Sequence, residues 1–308
     1  MIHQLAVSPH TVVETISRDS TPVLTVQPGD TVVLESLDSG GHLERQQVPG
    51  EERPRMFSPR RGHCLTGPVA VRGAEPGDVL SVHFTAIEPG PWGWTASGGA
   101  DSWLNRQLGL GEGRGGHLLW EVDPAAGLAR SHLGYAVPLA PFLGVVGVAC
   151  DVDEELSTVP PRPESGGNID CRDLVAGSTL FLPVNVPGAL LTAGDGHAAQ
   201  GHGEVGGTAI ECPMTTTMVL DLVSDPPLRS VHAVTPTARL TLGFDPDLNT
   251  ATAAALDAMV TWMEVLLEVT RAEALALASA AVDLHVTQVA NQTWGVHASL
   301  GHDAVRRG

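Results

Sequence analysis

QPGDTVVLE, residues 27–35, joins a Pro-Gly turn directly to a run of β-branched and apolar residues. Residues 75–84 (EPGDVLSVHF) repeat the arrangement. Proline presets φ for the turn and glycine supplies its sharp bend, so each turn is expected to precede a new strand. Short β-rich runs also occur at residues 22–26, 69–71, 179–182 and 216–222. This pattern predicts a mainly β fold built of sandwich or barrel layers.

Helical periodicity is confined to the C-terminal part of the sequence. After Thr252 an apolar stripe recurs at helical spacing, formed by Leu256, Met259, Val260, Met263 and Leu267. Thr270 starts a second helix, because Glu273 follows it at the distance of a capping box. The sequence therefore predicts a helical pair near the C-terminus and an α+β fold overall. Residues 283–289 are expected to form a last strand, followed by a tail over residues 290–308.

Two long stretches lack a clear period. Residues 45–61 are rich in proline and charge and predict a surface loop. Residues 88–119 are rich in glycine and contain Trp92, Trp94 and Trp103. These tryptophans are consistent with an ordered wall or lid beside a site, and equally with a packing role.

Length and charge limit the classes of function. A chain of 308 residues is expected to form one unit, or two closely joined β subdomains over about 1–135 and 136–308. The net charge is −18, and the sequence contains no lysine, so its permanently positive side chains are all arginines. Such an acidic chain argues against nucleic acid and anionic membrane surfaces as partners.

We expect neither a signal peptide nor a membrane-spanning segment in this sequence. Residues 1–19 do not resemble a signal peptide, and no run is expected to approach the length and apolarity of a membrane span. The four cysteines show neither zinc spacing nor the density of a disulfide scaffold. A cytoplasmic location is the resulting expectation.

Carboxylates and imidazoles are concentrated in glycine-rich turns at residues 166–173 (GGNIDCRD) and 194–204 (GDGHAAQGHGE). If a strand ends at His197, then Asp195 and His197 leave the same face and can meet at one ion. Glu204 can return to that centre, and the alternating residues 207–211 (GTAIE) present Glu211 as a strand-borne carboxylate. The cluster predicts a metal-assisted hydrolytic site.

Other interpretations of these residues remain open. Asp-Gly pairs are common in turns, where the aspartate bonds to nearby backbone amides. The segment also lacks a fixed-spacing zinc signature such as His-Glu-x-x-His. A nucleophilic mechanism would use a thiolate, and Cys171 lies beside Asp170 and Arg172. A lone cysteine is more often a small buried apolar residue.

At these residues the chain resembles the acetamidase/formamidase family of amide hydrolases. The resemblance is carried by residues 142–149 (FLGVVGVA), 166–174 (GGNIDCRDL), 182–190 (LPVNVPGAL), 194–201 (GDGHAAQG) and 207–211, and near the N-terminus by 35–38 (ESLD), 66–69 (TGPV) and 73–80 (GAEPGDVL). It implies hydrolysis of a short aliphatic amide, formamide or acetamide, to a carboxylate and ammonia. It also implies a cytoplasmic homo-oligomer that uses a divalent metal.

The resemblance carries a candidate set of metal and acid/base residues over to Asp38, Asp170, Asp195, His197 and Glu211. We expect Asp38, Asp170, His197 and Glu211 to bind the metal. Asp195 and Glu204 are the candidate catalytic groups, since a carboxyl near the metal can take a proton from water and pass it to the leaving nitrogen. His63 is a candidate for binding substrate.

The resemblance has departures that bear on the substrate and the metal. His202 stands where an acidic residue is expected, and residues 41–44 (GHLE) lack a longer segment of some formamidase-type members. Zinc is the first expectation for the ion, with calcium, magnesium or manganese as alternatives. A non-catalytic metal or small-ligand binding protein on the same β scaffold is the rival function, because fold similarity does not guarantee turnover.

Overall fold

The computed structural model describes residues 1–223 and 225–307. Its strands in chain order are β1 (Ile2–Leu5), β2 (Val12–Val13), β3 (Thr15–Ile16), β4 (Leu24–Val26), β5 (Asp30–Ser36), β6 (Leu65–Val71), β7 (Val79–Pro89), β8 (Trp92–Ser97), β9 (Gly116–Asp123), β10 (Leu128–Ser131), β11 (Ala136–Pro138), β12 (Phe142–Gly147), β13 (Leu156–Ser157), β14 (Gly166–Asn168), β15 (Thr179–Pro183), β16 (Leu191–His197), β17 (Met214–Val223), β18 (His232–Val234), β19 (Ala238–Asp245), β20 (Val282–Gln288) and β21 (Trp294–Gly301). The helices are α1 (Trp103–Gln107), α2 (Leu248–Leu267) and α3 (Arg271–Ala281).

The strands form layered, mostly antiparallel sheets. The largest sheet has the order β1-β5-β17-β7-β15-β18-β19-β21-β20. A second sheet has the order β14-β12-β16-β6-β2, with β4 also paired to β6. The strands β11-β10-β9-β8 form a third sheet, and β13 pairs with β3. The prediction of a mainly β fold with a C-terminal helical pair is confirmed.

The repeated Pro-Gly turn starts a strand at both places. Gly29 has φ +83° and Gly77 has φ +98°, the left-handed region that glycine enters without steric cost. Each turn closes with a backbone hydrogen bond, from Asp30 to Gln27 and from Asp78 to Glu75, at 3.0 Å. β5 and β7 follow directly and are bridged by β17 in the largest sheet.

Residues 88–119 are more regular than the sequence indicates. They contain the end of β7, then β8, α1 and the start of β9, with β8 and β9 paired as an antiparallel hairpin. Glycine content hides this strand pattern, because Gly93 and Gly116 lie within the strands themselves. Residues 45–61 form no helix or strand, as predicted, but Arg53 is not a surface residue since its side chain is only 4% exposed.

The predicted C-terminal tail is wrong. Residues 294–301 form β21, an interior strand of the largest sheet that pairs with β19 on one side and β20 on the other. Trp294, Val296, Ala298 and Leu300 alternate at the period of a strand, a local signal that the prediction of a tail overlooked. Residues 207–211 do not form a regular strand, and Glu211 instead makes isolated bridges to Trp94 and His197.

Helix α2 packs its apolar stripe on the largest sheet. Met259, Val260 and Met263 are buried in a cluster with Val296 and Ala298 of β21. The expectation that no run approaches a membrane span is wrong by composition, since α2 is long and apolar enough to cross one, with 33% of the relevant window buried in the structure. Core packing of the stripe accounts for the buried part of that window.

The capping box of α3 is present as predicted, and its removal is expected to destabilise the fold by about 1 kcal/mol. The backbone amide of Glu273 donates to the Thr270 hydroxyl at 3.4 Å, and the amide of Thr270 donates to the Glu273 carboxylate at 2.8 Å. Chemical unfolding of Thr270→Ala measures the loss. Ser279→Ala, at an exposed position of the same helix, is the control and is expected to stay within about 0.5 kcal/mol of wild type.

Candidate active site

The end of β16 and the turn after β14 bring the charged residues together on either side of β12. β12 lies between β14 and β16, and pairing places Phe142 opposite His197 and Val145 opposite Asn168. Asp195 and His197 end β16, and Asp170 follows β14 by two residues. The prediction that a strand ends at His197, with Asp195 two positions before it, is confirmed.

These residues form a buried group with Glu204 and Glu211, which we call the acid cluster: Asp170, Asp195, His197, Glu204 and Glu211. His197 Nε2 lies 3.4 Å from Asp195 Oδ1 and 3.3 Å from Glu211 Oε1. Ligand atoms of Asp170, Asp195 and His197 all lie within 4.8 Å of one another, and so do those of His197, Glu204 and Glu211. His197 therefore belongs to both potential ligand groups.

Three members of the acid cluster have left-handed backbone conformations. The φ angles are +50° at Asp170, +59° at Asp195 and +42° at Glu204. Residues with a Cβ adopt this region at a cost of about 1–3 kcal/mol, and such strain concentrates at functional sites. All three residues are buried, so the packing of the surrounding sheets must compensate for this strain.

Several polar atoms of the acid cluster have no hydrogen-bond partner among the described residues. They are both carboxylate oxygens of Asp170, Oδ1 of Asp195, both ring nitrogens of His197 and Oε2 of Glu211. A buried polar atom without a partner is costly, and carboxylates gathered in the interior need a compensating positive charge. The donor set of carboxylate oxygens and one imidazole fits a divalent cation.

Gly144 on β12 provides the space at the centre of the acid cluster. A Cβ added there would lie 2.5 Å from Asp195 Oδ2, 2.6 Å from Asp170 Oδ1 and 2.8 Å from His197 Cε1. The Gly144 carbonyl also accepts hydrogen bonds from the amides of Ile169 and Asp170, at 2.9 and 3.1 Å. The strand thus approaches the three side chains as closely as a residue without a side chain permits.

Burial and mutual charge shift the acidities within the acid cluster. Burial raises the pKa of Asp170 to about 8, and burial also raises the pKa of Glu211. Burial together with the charge of Asp170 raises the pKa of Glu204 well above its ordinary value. Burial opposes ionisation of Asp195, but the charge of His197 outweighs it and holds the pKa of Asp195 below its ordinary range. Burial likewise opposes a charge on His197, and the carboxylates of Glu211 and Asp195 overcome it and raise the pKa of His197.

Chelator-treated protein is expected to lose stability as the pH rises from about 5 to about 8. Asp170, Glu204 and Glu211 have raised pKa values in the fold and ordinary values near 4 after unfolding, so the folded state holds more protons in this window. Stability then falls with rising pH, by up to about 1.4 kcal/mol per pH unit for each group concerned. Urea unfolding at three pH values measures the slope. Protein reloaded with Zn²⁺ is the control and should show a smaller fall, and a stability that rises across the window contradicts the assignment.

A cavity of about 210 Å³ opens onto the acid cluster. Its lining includes Ser39, Arg60, His63, Trp94, Asn168 and Asn291 together with Asp170, Asp195, Glu204 and Glu211. The candidate substrate residue His63 therefore lies at this cavity, where its amide donates to the Thr158 hydroxyl at 2.7 Å. A larger cavity of about 610 Å³ lies along residues 199–210, and Glu204 lines both.

Asp38 is buried near the acid cluster but is not brought into it. Its Oδ1 accepts the amide of His42 at 2.8 Å, and its Oδ2 accepts the Trp94 indole N–H at 2.6 Å. His42 Nδ1 is a further 2.7 Å contact to Oδ2. Asp38 belongs to none of the potential ligand groups found in residues 1–223 and 225–307. Its geometry indicates a residue that orients Trp94, whose backbone pairs with Glu211.

The four cysteines are in surroundings that disfavour a thiolate. All four are buried and free. Burial raises the pKa of Cys171 and of Cys64 to about 12, so both remain thiols near neutral pH. Cys171 is also fully enclosed in the main core. These observations favour the interpretation of Cys171 as a buried apolar residue over a nucleophilic role.

The sequence left open whether the tryptophans of residues 88–119 form a wall beside a site, and Trp94 does line the small cavity and pairs with Glu211. Two further residues that the structure places at the site were not singled out. Asn168 also lines that cavity. Gly144 stood within the family-like segment 142–149, and its position between valines and leucines of a buried strand was the available signal.

The fold is similar to that of the acetamidase from Bacillus halodurans. That solved structure superposes with a TM-score of 0.85 and 26% sequence identity, covering 98% of this chain and 97% of the other. The likeness therefore extends over nearly the whole chain.

Relatives of named activity are similar over part of their length. A Schizosaccharomyces pombe protein that carries a provisional formamidase name is 28% identical over 275 residues, covering 66% of this chain and 64% of the relative. An acetamidase of Mycolicibacterium smegmatis is 28% identical over 257 residues, covering 65% of this chain and 63% of the relative. The chain thus spans slightly less than two thirds of the length of these relatives. A model of the Acetamidase/Formamidase family matches residues 9–153 and 149–237, most of the sequence, and the chain therefore belongs to that family.

Proposed function

We propose that this protein is an amidohydrolase that cleaves short aliphatic amides, such as formamide and acetamide, to a carboxylate and ammonia with the help of a divalent metal. The observation that carries the proposal is the set of unpartnered, buried carboxylate and imidazole atoms in the acid cluster. Membership of the Acetamidase/Formamidase family and the names of its relatives support the amide as substrate class.

Asp170, Asp195 and His197 are the residues that would hold the metal, an assignment in which Asp195 and Glu211 exchange the roles expected from the sequence. Gly144 lies against all three and leaves the space between them free of side-chain atoms. The single imidazole among oxygen donors favours Zn²⁺ or another transition ion over Mg²⁺. A divalent ion bound there supplies Lewis acidity toward a carbonyl oxygen and toward water.

Glu204 and Glu211 are left for proton transfer. Hydrolysis of an amide needs one group to accept a proton from water and one to deliver a proton to the leaving nitrogen. The raised pKa of Glu204 means that this buried carboxyl keeps its proton to a higher pH than an ordinary glutamate, as a proton donor to the leaving nitrogen requires. The Glu211 carboxylate is oriented through Oε1, which accepts the amide of Ala209 at 3.0 Å, while Oε2 stays unpaired.

The small cavity favours a small amide. A volume of about 210 Å³ corresponds to about seven water molecules at about 30 Å³ each, below the range of about 300–1,000 Å³ typical of drug-sized ligands. Asn168, Asn291 and Arg60 line it with hydrogen-bonding groups that suit a primary amide. A long aliphatic chain finds little room there.

Ammonia release from formamide, acetamide and propionamide tests the proposal. The purified protein is assayed as prepared, after chelator treatment, and after addition of zinc, manganese or calcium. We expect turnover that falls from the small to the larger amide, disappears with chelator and returns with one of the metals. Undiminished turnover in chelated, metal-free protein overturns the metal dependence. Stoichiometric metal with no turnover on any of the amides favours the rival function, a non-catalytic metal or small-ligand binding protein.

Glu204→Gln is expected to lower turnover by about 10²-fold, the lower part of the range for general acid–base catalysis. Glutamine keeps the size of the side chain but cannot exchange the proton. Glu211, the other group proposed for proton transfer, is unchanged in this variant. Steady-state kinetics and metal content are measured together, and the metal is expected to stay bound. Glu112→Gln, on an exposed loop, is the matched control with unchanged rate. A normal rate in Glu204→Gln would remove Glu204 from the mechanism.

A further inference from the structure

Three histidines and one aspartate meet outside the acid cluster. The pairing of β20 with β21 places His285 directly opposite His297. His202 lies in the loop after β16 and Asp173 in the turn after β14. Four segments distant in sequence therefore converge on one group, which we call the histidine cluster: Asp173, His202, His285 and His297.

The rings of the histidine cluster are close enough to share one ligand. Ring centroids are 4.7 Å apart for His202 and His285, 4.8 Å for His285 and His297, and 5.3 Å for His202 and His297. One nitrogen from each ring lies within 4.8 Å of the other two. Asp173 Oδ2 is 3.2 Å from His297 Nε2 and 3.9 Å from His202 Nε2.

His297 points an unpaired nitrogen into this group. Its side chain is fully buried, and Nε2 has no hydrogen-bond partner among the described residues although Asp173 is near. The other nitrogen, Nδ1, lies 2.8 Å from the Thr287 hydroxyl. A hydroxyl held at Nδ1 fixes the ring, as the outer partners of metal-binding histidines do. Nε2 faces the Asp173 carboxylate at 3.2 Å, and a nitrogen and an oxygen at this separation can share one ion.

We propose that Asp173, His202, His285 and His297 form a second metal site that binds a divalent transition ion, Zn²⁺ foremost. Three imidazole nitrogens and one carboxylate oxygen are a donor set that suits zinc. Four ligands at about 2.0–2.1 Å around a tetrahedral ion lie about 3.3 Å from each other. The 3.2 Å between Asp173 Oδ2 and His297 Nε2 matches this spacing. The 3.9 Å between Asp173 Oδ2 and His202 Nε2 exceeds it, and the half-exposed His202 side chain can shorten it by a small movement.

The ion in this site holds the loop that carries Glu204. Gly203 already pairs with the strand end next to β21, since its amide donates to the Thr287 carbonyl at 2.9 Å and its carbonyl accepts the Val289 amide at 2.8 Å. Binding of the ion by His202 would also fix the residue before Gly203, on the side of the loop that borders the larger cavity. The second site is therefore a clamp that restricts residues 201–204 and with them the position of Glu204.

Zinc binding to the metal-stripped protein tests the proposal. Equilibrium dialysis followed by elemental analysis is applied to wild type, to His285→Ala and to His202→Ala/His285→Ala. We expect the double variant to bind one equivalent of Zn²⁺ fewer than wild type, and the single variant to bind it at least tenfold more weakly. Both positions are partly exposed, and circular dichroism verifies that the variants fold. His10→Ala, at an exposed position, is the control and should bind as wild type does.

Spectroscopy separates the two sites. The acid cluster offers one imidazole, whereas the histidine cluster offers three, so electron paramagnetic resonance of Cu²⁺-loaded His197→Ala should show coordination by several imidazole nitrogens. This signal should be lost in His197→Ala/His202→Ala/His285→Ala. Hydrogen exchange in residues 199–207 should slow on Zn²⁺ addition in wild type and not in His202→Ala/His285→Ala. Equal zinc stoichiometry and affinity in wild type and the double variant overturn the second site, whatever the amidase assay shows.

Discussion

His197→Ala is expected to lose the metal of the acid cluster and to lower amide hydrolysis by about 10⁴-fold or more. The ring belongs to both potential ligand groups, and both its nitrogens lack hydrogen-bond partners in the described chain. A bound cation contributes several kcal/mol to stabilising a developing charge, and each 1.36 kcal/mol is a factor of ten in rate. Ammonia release under saturating formamide and elemental analysis of the same sample measure the two losses.

The fold of the His197→Ala protein must be verified separately. The ring packs edge-on against Phe142 with centroids 5.0 Å apart, so its removal leaves a gap in the core beside β12. Circular dichroism and urea unfolding report whether the protein remains folded, and His197→Gln keeps more of the volume if it does not. Full activity in a metal-free, folded variant would eliminate the metal mechanism, whereas His10→Ala controls for loss of an exposed histidine.

Gly144→Ala is expected to disrupt metal binding and to lower activity strongly with a single added methyl group. That methyl would lie 2.5–2.8 Å from atoms of Asp195, Asp170 and His197, inside the contact distance of any real Cβ. The three side chains must separate, and their inward orientation depends on strained backbone at two of them. We expect a rate loss of about 10³-fold or more, because a displacement of about 1 Å already costs about 10²-fold. Steady-state kinetics and metal content measure it.

Gly301→Ala is the matched control for this experiment. Gly301 also lies in a strand, but a Cβ there meets Ala304 at 3.6 Å, an ordinary van der Waals contact. The control should retain both metal and activity. A Gly144→Ala protein that binds metal and turns over amides at the wild-type rate would show that the space in front of Gly144 is not part of the site.

Features set by local residue patterns could be predicted from the sequence. The Pro-Gly turns before β5 and β7 and the capping box at Thr270 depend on residues within a few positions of each other, and all are confirmed. The helical stripe of α2 was likewise readable from spacing alone. The strand β21 was missed although Trp294, Val296, Ala298 and Leu300 alternate at strand period, because Gly295 and Gly301 and the polar residues between them resemble a tail. The hairpin of β8 and β9 was missed because its glycines resemble those of a loop.

The site was predictable as a list of residues, and its arrangement was not. The residue types in segments 166–173 and 194–204 indicated Asp170, Asp195, His197 and Glu204, and the structure gathers all four. Asp38 was included by resemblance, but its oxygens are directed to His42 and Trp94. No pattern in the sequence could show this, because residue 94 reaches Asp38 only after β8 folds back against Glu211.

By itself the sequence determined the β class, the helical pair, the family and the chemical character of the site, since each depends on local periodicity or on residues close together along the chain. Tertiary structure alone decided which carboxylates share one centre, why Gly144 must lack a side chain, and that His202, His285 and His297 converge with Asp173. The physical reason is that strand pairing and sheet packing join segments far apart in sequence, as in the pairing of Ser36 with Met214, and the distances that control charge, pKa and metal binding arise only from those long-range contacts.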